Sequence, residues 1–194
     1  MKVLVVLFLM FLSSVGRTEI NKEQLRTYGA ENDTIIYVFT SFSCPYCAAY
    51  HQDILPVLKK RYTDTGKARI KIVDLPNNKR SLTATLMARC MTDEVYQTFT
   101  TLVYKNQGDW LSVPDYHQKL KEYATQAGLS EENRQKCTAD VSLMKTVEKQ
   151  GRNLSAVHQV QAMPTTVIIH QGNKKSWVGA DPVQLSEIAT FLGE

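Results

Sequence analysis

What the chain lacks narrows it first. It has four histidines and four cysteines in 194 residues. There is neither a second C-x-x-C nor an H-x3–5-H pair, so a closed zinc site has no donor set and no metal is expected. No stretch is of low complexity. The formal charge of +4 is spread along the chain, which leaves no basic patch for nucleic acid. Beyond the first residues no apolar run is long enough to cross a bilayer. A chain of this length is one domain, or one domain with an insertion, and can bury a core without disulfides to hold it together.

What is present begins with an export signal over residues 1–16. Lys2 supplies the positive start, Val3 to Leu12 an unbroken apolar run, and Ser14-Val15-Gly16 the small residues of a cleavage site. That run is short for a membrane span, and an uncleaved anchor is the alternative reading. The mature chain is expected to start near Arg17 in an oxidising, periplasmic compartment, where a disulfide persists.

The rest is organised around Cys44-Pro45-Tyr46-Cys47. The preceding Ile35-Ile36-Tyr37-Val38-Phe39 is β-branched and aromatic and reads as a buried strand. From Pro45 the pattern turns helical, with apolar residues at Tyr46, Tyr50, Ile54, Val57 and Leu58, and Pro56 placing a kink before the end near Tyr62. A C-x-x-C pair at a strand-to-helix junction is a redox arrangement. The first sulfur lies at the helix N-terminus, where free N–H groups and the macrodipole favour a thiolate. The second lies one turn on, within reach of a mixed disulfide formed on the first. Cys44 therefore reads as nucleophile and Cys47 as resolving thiol. Half a zinc site and a structural disulfide are the competing readings, and the strand–helix context favours redox chemistry over both.

Ala68 to Leu75 alternates as a second strand. Before the first strand, residues 18–28 read as a short helix or lead-in. From Ser81 to about Val160 strand character disappears and five helices are expected, two of them carrying Cys90 and Cys137. Strands return at Thr165–His170 and Lys174–Val178 around a turn at Gly172, and a last helix from Asp181 is expected to pack Val183, Leu185, Ile188, Ala189, Phe191 and Leu192.

The strand before C-P-Y-C, the residues after it and the later Met163-Pro164-Thr165-Thr166 together resemble the DsbA-type thiol:disulfide interchange proteins. The resemblance implies an α/β thioredoxin fold with an inserted all-helical domain: a lead-in over 17–33, the fold's first part over 34–80, the insertion over 81–160 and its second part over 161–194. It implies an enzyme without a cofactor that passes the Cys44–Cys47 disulfide to reduced or unfolded exported proteins. A membrane reoxidant of the DsbB type would restore the disulfide. Pro164 matches the family's cis-proline opposite the cysteines, the alternative being an ordinary trans proline before a strand. Pro45, Tyr46, Met163 and Pro164 are then the expected substrate contacts.

Three residues depart from the family pattern. Val38 stands where a buried acid often takes the proton of the resolving cysteine. Tyr46 stands where the strongest oxidases have histidine. Met163 replaces the usual valine or threonine. The first departure fits accepting electrons better than fast reduction of substrates, and the second suggests an oxidant weaker than DsbA, at about −120 mV, and well above thioredoxin, at about −270 mV.

Two leftover cysteines in an exported protein are usually paired, and in a DsbA subgroup such a pair staples the insert. Cys90 and Cys137 fit that pattern, with two separate buried thiols as the alternative. His51 is expected to face solvent or a groove, and His117, His158 and His170 suggest no ligand set. The sequons at Asn32 and Asn153 would matter only in a eukaryotic secretory pathway. The competing functions are an isomerase or reductase of the same fold, and a redox-inactive copper-binding or chaperone module built on Cys44, Cys47 and His51. Isomerases of this class usually oligomerise through an added segment, and residues 17–33 are short for one, so a monomer is expected.

Overall fold

The computed structural model describes residues 21–194, and the export signal read over 1–16 lies outside them. A five-stranded sheet runs through the molecule in the order β1 (Arg26–Tyr28), β3 (Arg69–Asp74), β2 (Ile35–Thr40), β4 (Thr165–His170), β5 (Asn173–Val178). The β2–β3 pair is parallel, with Val38 opposite Ile72 and Thr40 opposite Asp74, and the other pairs are antiparallel. β2 is central and covered on both faces, which is why its sequence is continuously apolar. This is a thioredoxin fold with a helical insertion.

Residues 26–28 correct the expected helix. They form β1, pairing Arg26 with Ile72 and Tyr28 with Ile70. A three-residue edge strand is too short to show a period, and its position comes from long-range contacts. Lys59 Nζ sits 3.9 Å over the Tyr28 ring, and an Arg26 guanidinium nitrogen donates to the Met91 carbonyl at 2.7 Å.

The helix expected over 44–62 is divided. α1 (Pro45–Asp53) ends at Ile54, and α2 (Leu55–Leu58) follows directly. A single π turn (Lys59–Thr63) then closes the segment, with Asp64 N–H donating to the Lys59 carbonyl at 3.0 Å. Pro56 has no N–H and its ring crowds the preceding turn, so the helix re-forms around it instead of running through. Tyr50, Ile54 and Leu58 carry the buried stripe, whereas Tyr46 is 70% exposed and Val57 39%.

Between β3 and β4 lie six helices among the described residues: α3 (Lys79–Arg89), α4 (Asp93–Lys105), α5 (Gln107–Ser112), α6 (Tyr116–Ala127), α7 (Glu131–Thr138) and α8 (Val141–His158). α5 was not anticipated, because it is six residues long and contains Gly108. The caps are local and legible. Asn78 and Ser81 form a reciprocal capping box on α3, and Asp115, Ser130 and Asp140 accept from the third N–H of α6, α7 and α8. Gly128 ends α6 at φ 103°, a conformation only glycine adopts without cost. α9 (Gln184–Phe191) closes the fold. It buries Ile188 and Ala189, but Val183 precedes it and stays 63% exposed, contrary to the packing expected from its sequence.

The insertion shares a core with the redox segment. Phe42, Cys47 and Ala48 pack with Ala84, Met87, Tyr96, Phe99, Val103, Tyr104, Trp110 and Leu120 in one cluster. On the sheet side α8 presses on β3, where a Cβ at Gly151 would lie 2.8 Å from the Asp74 carbonyl oxygen.

Cys90, capping the end of α3, and Cys137 of α7 form a disulfide with Cα atoms 6.3 Å apart, enclosed by Leu86, Leu143 and Val147. The bridge spans 47 residues. Loop closure of that length sets an upper bound near 4 kcal/mol, and measured bridges typically give about 2–4 kcal/mol. A Cys90→Ala/Cys137→Ala variant is accordingly expected to lower the denaturant midpoint by that amount while keeping the slope. An unchanged midpoint would contradict a stabilising bridge.

Candidate active site

β2 delivers the chain to Ser41-Phe42-Ser43-Cys44, and Cys44 caps α1 with an extended backbone (φ −90°, ψ 121°). Pro45 starts the helix, so no N–H is wasted there. The Cys47 N–H donates to Cys44 Sγ at 3.4 Å, which places the first sulfur on the free N-terminal amides of α1. The Cys44 thiol in turn donates to the Met163 carbonyl at 3.5 Å. The Met163–Pro164 peptide bond is cis. Cys44, Pro45, Tyr46 and Met163 thus gather on one accessible face, with Pro164 buried beneath it.

The loop holding Cys44 is pinned from two sides. Ser43 Oγ donates to Asn77 Oδ1 at 2.6 Å and accepts from Asn78 Nδ2 at 3.0 Å. Gln107, on α5 of the insertion, donates from Nε2 to the Phe42 and Cys44 carbonyls at 2.8 and 3.0 Å. Sequence reasoning missed Gln107. Its only signal would have been a polar residue at a buried position of a helix that was itself not anticipated.

The two sulfurs differ in environment. Cys44 is half-buried, whereas Cys47 is 0% exposed. Burial pushes the Cys47 thiol up to about 12, opposed by the Thr40 hydroxyl and the Ser41 backbone. Val38 is buried and lies opposite Thr166. Thr166 Oγ1 is hydrogen-bonded to Tyr50 OH at 2.7 Å, so the polar pair on that face is two hydroxyls and not an acid. A second hydroxyl pair, Thr40 Oγ1 and Tyr104 OH at 3.0 Å, lies toward the insertion.

His51 takes the groove alternative of its expected position and not the solvent one. Its ring stacks on Tyr104 with centroids 4.3 Å apart, and Nε2 is buried without a hydrogen-bond partner. His51 and Tyr104 form part of the wall of a cleft of about 550 Å³ between α1–α2 and α4, which Lys59, Lys60 and Lys105 also line. Burial, reinforced by Lys59, pushes the imidazole down from 6.5 to about 3. The unfolded chain therefore binds a proton in that window that the folded protein refuses. Stability that is complete above pH 6.5 is lost as pH falls toward 3. Urea unfolding should show parent stability falling across this range more steeply than that of His51→Gln. Parallel curves would contradict the assignment.

Among the described residues no three His, Cys, Asp or Glu side chains gather as a metal site, so the copper reading has no third ligand beside the two cysteines. Cys90 and Cys137 sit in a separate small cluster and are not part of this face. Among the described residues no helix is long and apolar enough to cross a membrane.

With this geometry in place, the comparisons agree on one fold. The family model described as thioredoxin matches residues 21–181. A Rickettsia typhi protein, provisionally named a protein-disulfide oxidoreductase, is 30% identical over 118 residues, 60% of this chain and 44% of that one. The chain thus spans less than half the length of that curated relative. Among solved structures, Wolbachia pipientis alpha-DsbA1 superposes with a TM-score of 0.75 at 20% identity, covering 87% of this chain and 90% of the other. Oxidised BdbD from Bacillus subtilis gives 0.66 at 19% identity, with 88% and 93% covered.

Proposed function

The chain belongs to the thioredoxin family, and from that premise we propose that it is an exported, DsbA-type protein disulfide oxidase. The observation that carries this reading is the asymmetry of the pair: Cys44 Sγ is accessible and rests on the Cys47 N–H, whereas Cys47 is fully enclosed. A substrate thiolate attacks Cys44 Sγ of the Cys44–Cys47 disulfide. That bond breaks, and its electron pair leaves on Cys47, which takes up a proton. A second substrate thiolate then attacks the substrate sulfur of the mixed disulfide and displaces Cys44 as a thiolate. The substrate dithiol is oxidised and the enzyme disulfide reduced.

Stabilising Cys44 as a thiolate lowers the energy of the reduced enzyme, which makes its disulfide oxidising. The Met163 backbone, beside Cys44, offers an extended substrate a strand-like partner, and Tyr46 is exposed two residues past Cys44. Cys44 and Cys47 are the catalytic pair, Pro45, Tyr46 and Met163 the substrate contacts, Pro164 the buried residue beneath them instead of the contact expected from the sequence, and Cys90–Cys137 a staple. Substrates are reduced exported proteins, and a quinone-linked membrane protein of the DsbB type accepts the electrons from a monomeric enzyme in the periplasm.

The test is single-turnover oxidation of a reduced two-cysteine peptide by the oxidised protein, run beside refolding of a scrambled substrate by the reduced protein. Fast oxidation with weak rescue of the scrambled substrate supports the oxidase. The reverse order would make it an isomerase, and no reaction in either assay a redox-inactive module.

A further inference from the structure

We propose that Gln107 is a positioning residue for the redox pair. Through it the helical insertion holds the Cys44 backbone in the pose that favours a thiolate, and so helps set how oxidising the disulfide is. This role rests on the disulfide-exchange reading above and deepens it. Gln107 is buried at the first position of α5, and its side-chain nitrogen donates to two loop carbonyls, Phe42 at 2.8 Å and Cys44 at 3.0 Å. Only the NH2 end of an amide can serve two carbonyls, so these partners fix its orientation. The Cys44 N–H donates to the Ser41 carbonyl at 3.1 Å, and the Cys44 carbonyl also accepts from the Ala48 N–H at 3.2 Å. Both backbone groups of Cys44 are therefore committed, and its side-chain torsion alone decides where Sγ lies. In the observed rotamer that sulfur accepts from the Cys47 N–H at 3.4 Å.

The element that carries Gln107 is held from outside. A helix of six residues does not persist by itself, and α5 has no side-chain cap. Trp110 is fully buried and donates from Nε1 to the Val103 carbonyl at 2.9 Å, which ties α5 to α4. Arg80 of α3 donates from one guanidinium nitrogen to the Trp110 and Val113 carbonyls at 3.1 and 2.6 Å. Asn106 turns its amide back to the Leu102 carbonyl at 2.8 Å and closes α4 just before Gln107. One chain of contacts thus runs from α3 and α4 through α5 to the cysteine loop.

Two effects of the Gln107 amide act in the same direction. The Phe42 and Cys44 carbonyl oxygens carry partial negative charge close to the sulfur that becomes a thiolate, and an N–H on each offsets that charge. A fixed Cys44 backbone also keeps Sγ on the helix N-terminus, so little ordering is left to be done when the disulfide opens. Gln107 acts through the Cys44 backbone and takes no part in the bond changes.

The experiment equilibrates the full protein with glutathione, where the oxidised pair and two glutathione thiols give the reduced pair and one glutathione disulfide. The oxidised and reduced forms of the Cys44–Cys47 peptide are counted by mass spectrometry after acid quenching and alkylation, so the Cys90–Cys137 bridge does not enter. Gln107→Met keeps the length of the side chain and removes the donor. Its equilibrium constant for reduction is expected to fall about fivefold from the parent's, the scale of one hydrogen bond. Arg80→Ala, at a half-buried position, loosens α5 without touching the loop and should lower the constant to a smaller extent. A residue that only packs would lower the urea midpoint and leave the constant alone. An exchanging parent with the same constant in both variants would overturn the positioning role alone. If Gln107→Met does not fold, an unchanged constant in Arg80→Ala overturns it equally. A parent that does not exchange with glutathione would overturn the disulfide-exchange reading, and this role with it.

Discussion

Cys47→Ala should turn a catalyst into a trap. In the parent a mixed disulfide on Cys44 is resolved by a sulfur one helical turn away, so no adduct accumulates. With alanine at 47 that resolving sulfur is gone. Incubation with glutathione disulfide should leave one stable adduct, located on Cys44 by mass spectrometry, and peptide oxidation should fall to the uncatalysed background. Cys44→Ala should lose oxidation equally but form no adduct on Cys47 at neutral pH. The reason is quantitative. With the thiol pushed up to about 12, the thiolate fraction of Cys47 at pH 7 is on the order of 10⁻⁵, and the sulfur is enclosed besides. A Cys47 adduct forming as fast as the Cys44 adduct would reverse the assigned roles.

The second large effect lies beneath the sheet. Asp74 and Arg89 form an ion pair at 2.8 Å with both side chains nearly sealed from solvent. Arg89 also donates to the Gln24 carbonyl at 2.7 Å and to Gln150 Oε1 at 3.2 Å. One guanidinium therefore ties the segment before β1, the end of β3, and helices α3 and α8 together. Arg89→Met keeps much of the volume but leaves the Asp74 carboxylate buried and alone. The expected loss is about 3–5 kcal/mol in urea unfolding at pH 7, because an unpaired buried charge costs more than the pair contributes. The double variant Asp74→Leu/Arg89→Met should recover much of that loss, since the desolvated charge is removed with its partner. Equal instability of the single and double variants would mean that the hydrogen bonds to Gln24 and Gln150, and not the charge, hold this junction.

Local chemistry was legible in the sequence. The C-x-x-C pair, the β-branched run before it, the capping residues of the insertion and the Gly172 turn all act within a few residues of themselves. Their structures follow from propensity and spacing. What the sequence hid is set by contacts between distant segments. β1 is three residues of edge strand whose identity depends on β3. Gln107 reaches the Cys44 loop from across 63 positions. Thr40 and Tyr104 are 64 residues apart, and nothing in either neighbourhood announces the other. Val57 and Val183 misled for the opposite reason. Both sit at apolar spacing, but the break around Pro56 and the late start of α9 turn them outward. For His51 the sequence left solvent and a groove open, because the partner that decides between them, Tyr104, sits on a distant helix.

The reduction potential of Cys44–Cys47, read by equilibration with glutathione, tests the account most directly. It should be measured in the parent and in the Cys90→Ala/Cys137→Ala variant, so that the second disulfide does not confuse the titration. A dedicated oxidase is predicted to stand above about −180 mV, the value of protein disulfide isomerase, and below the extreme of about −120 mV. A potential below about −220 mV would contradict the oxidase, because at that poise cellular glutathione competes with the substrates for the disulfide, and it would move the protein to the reducing side of the family.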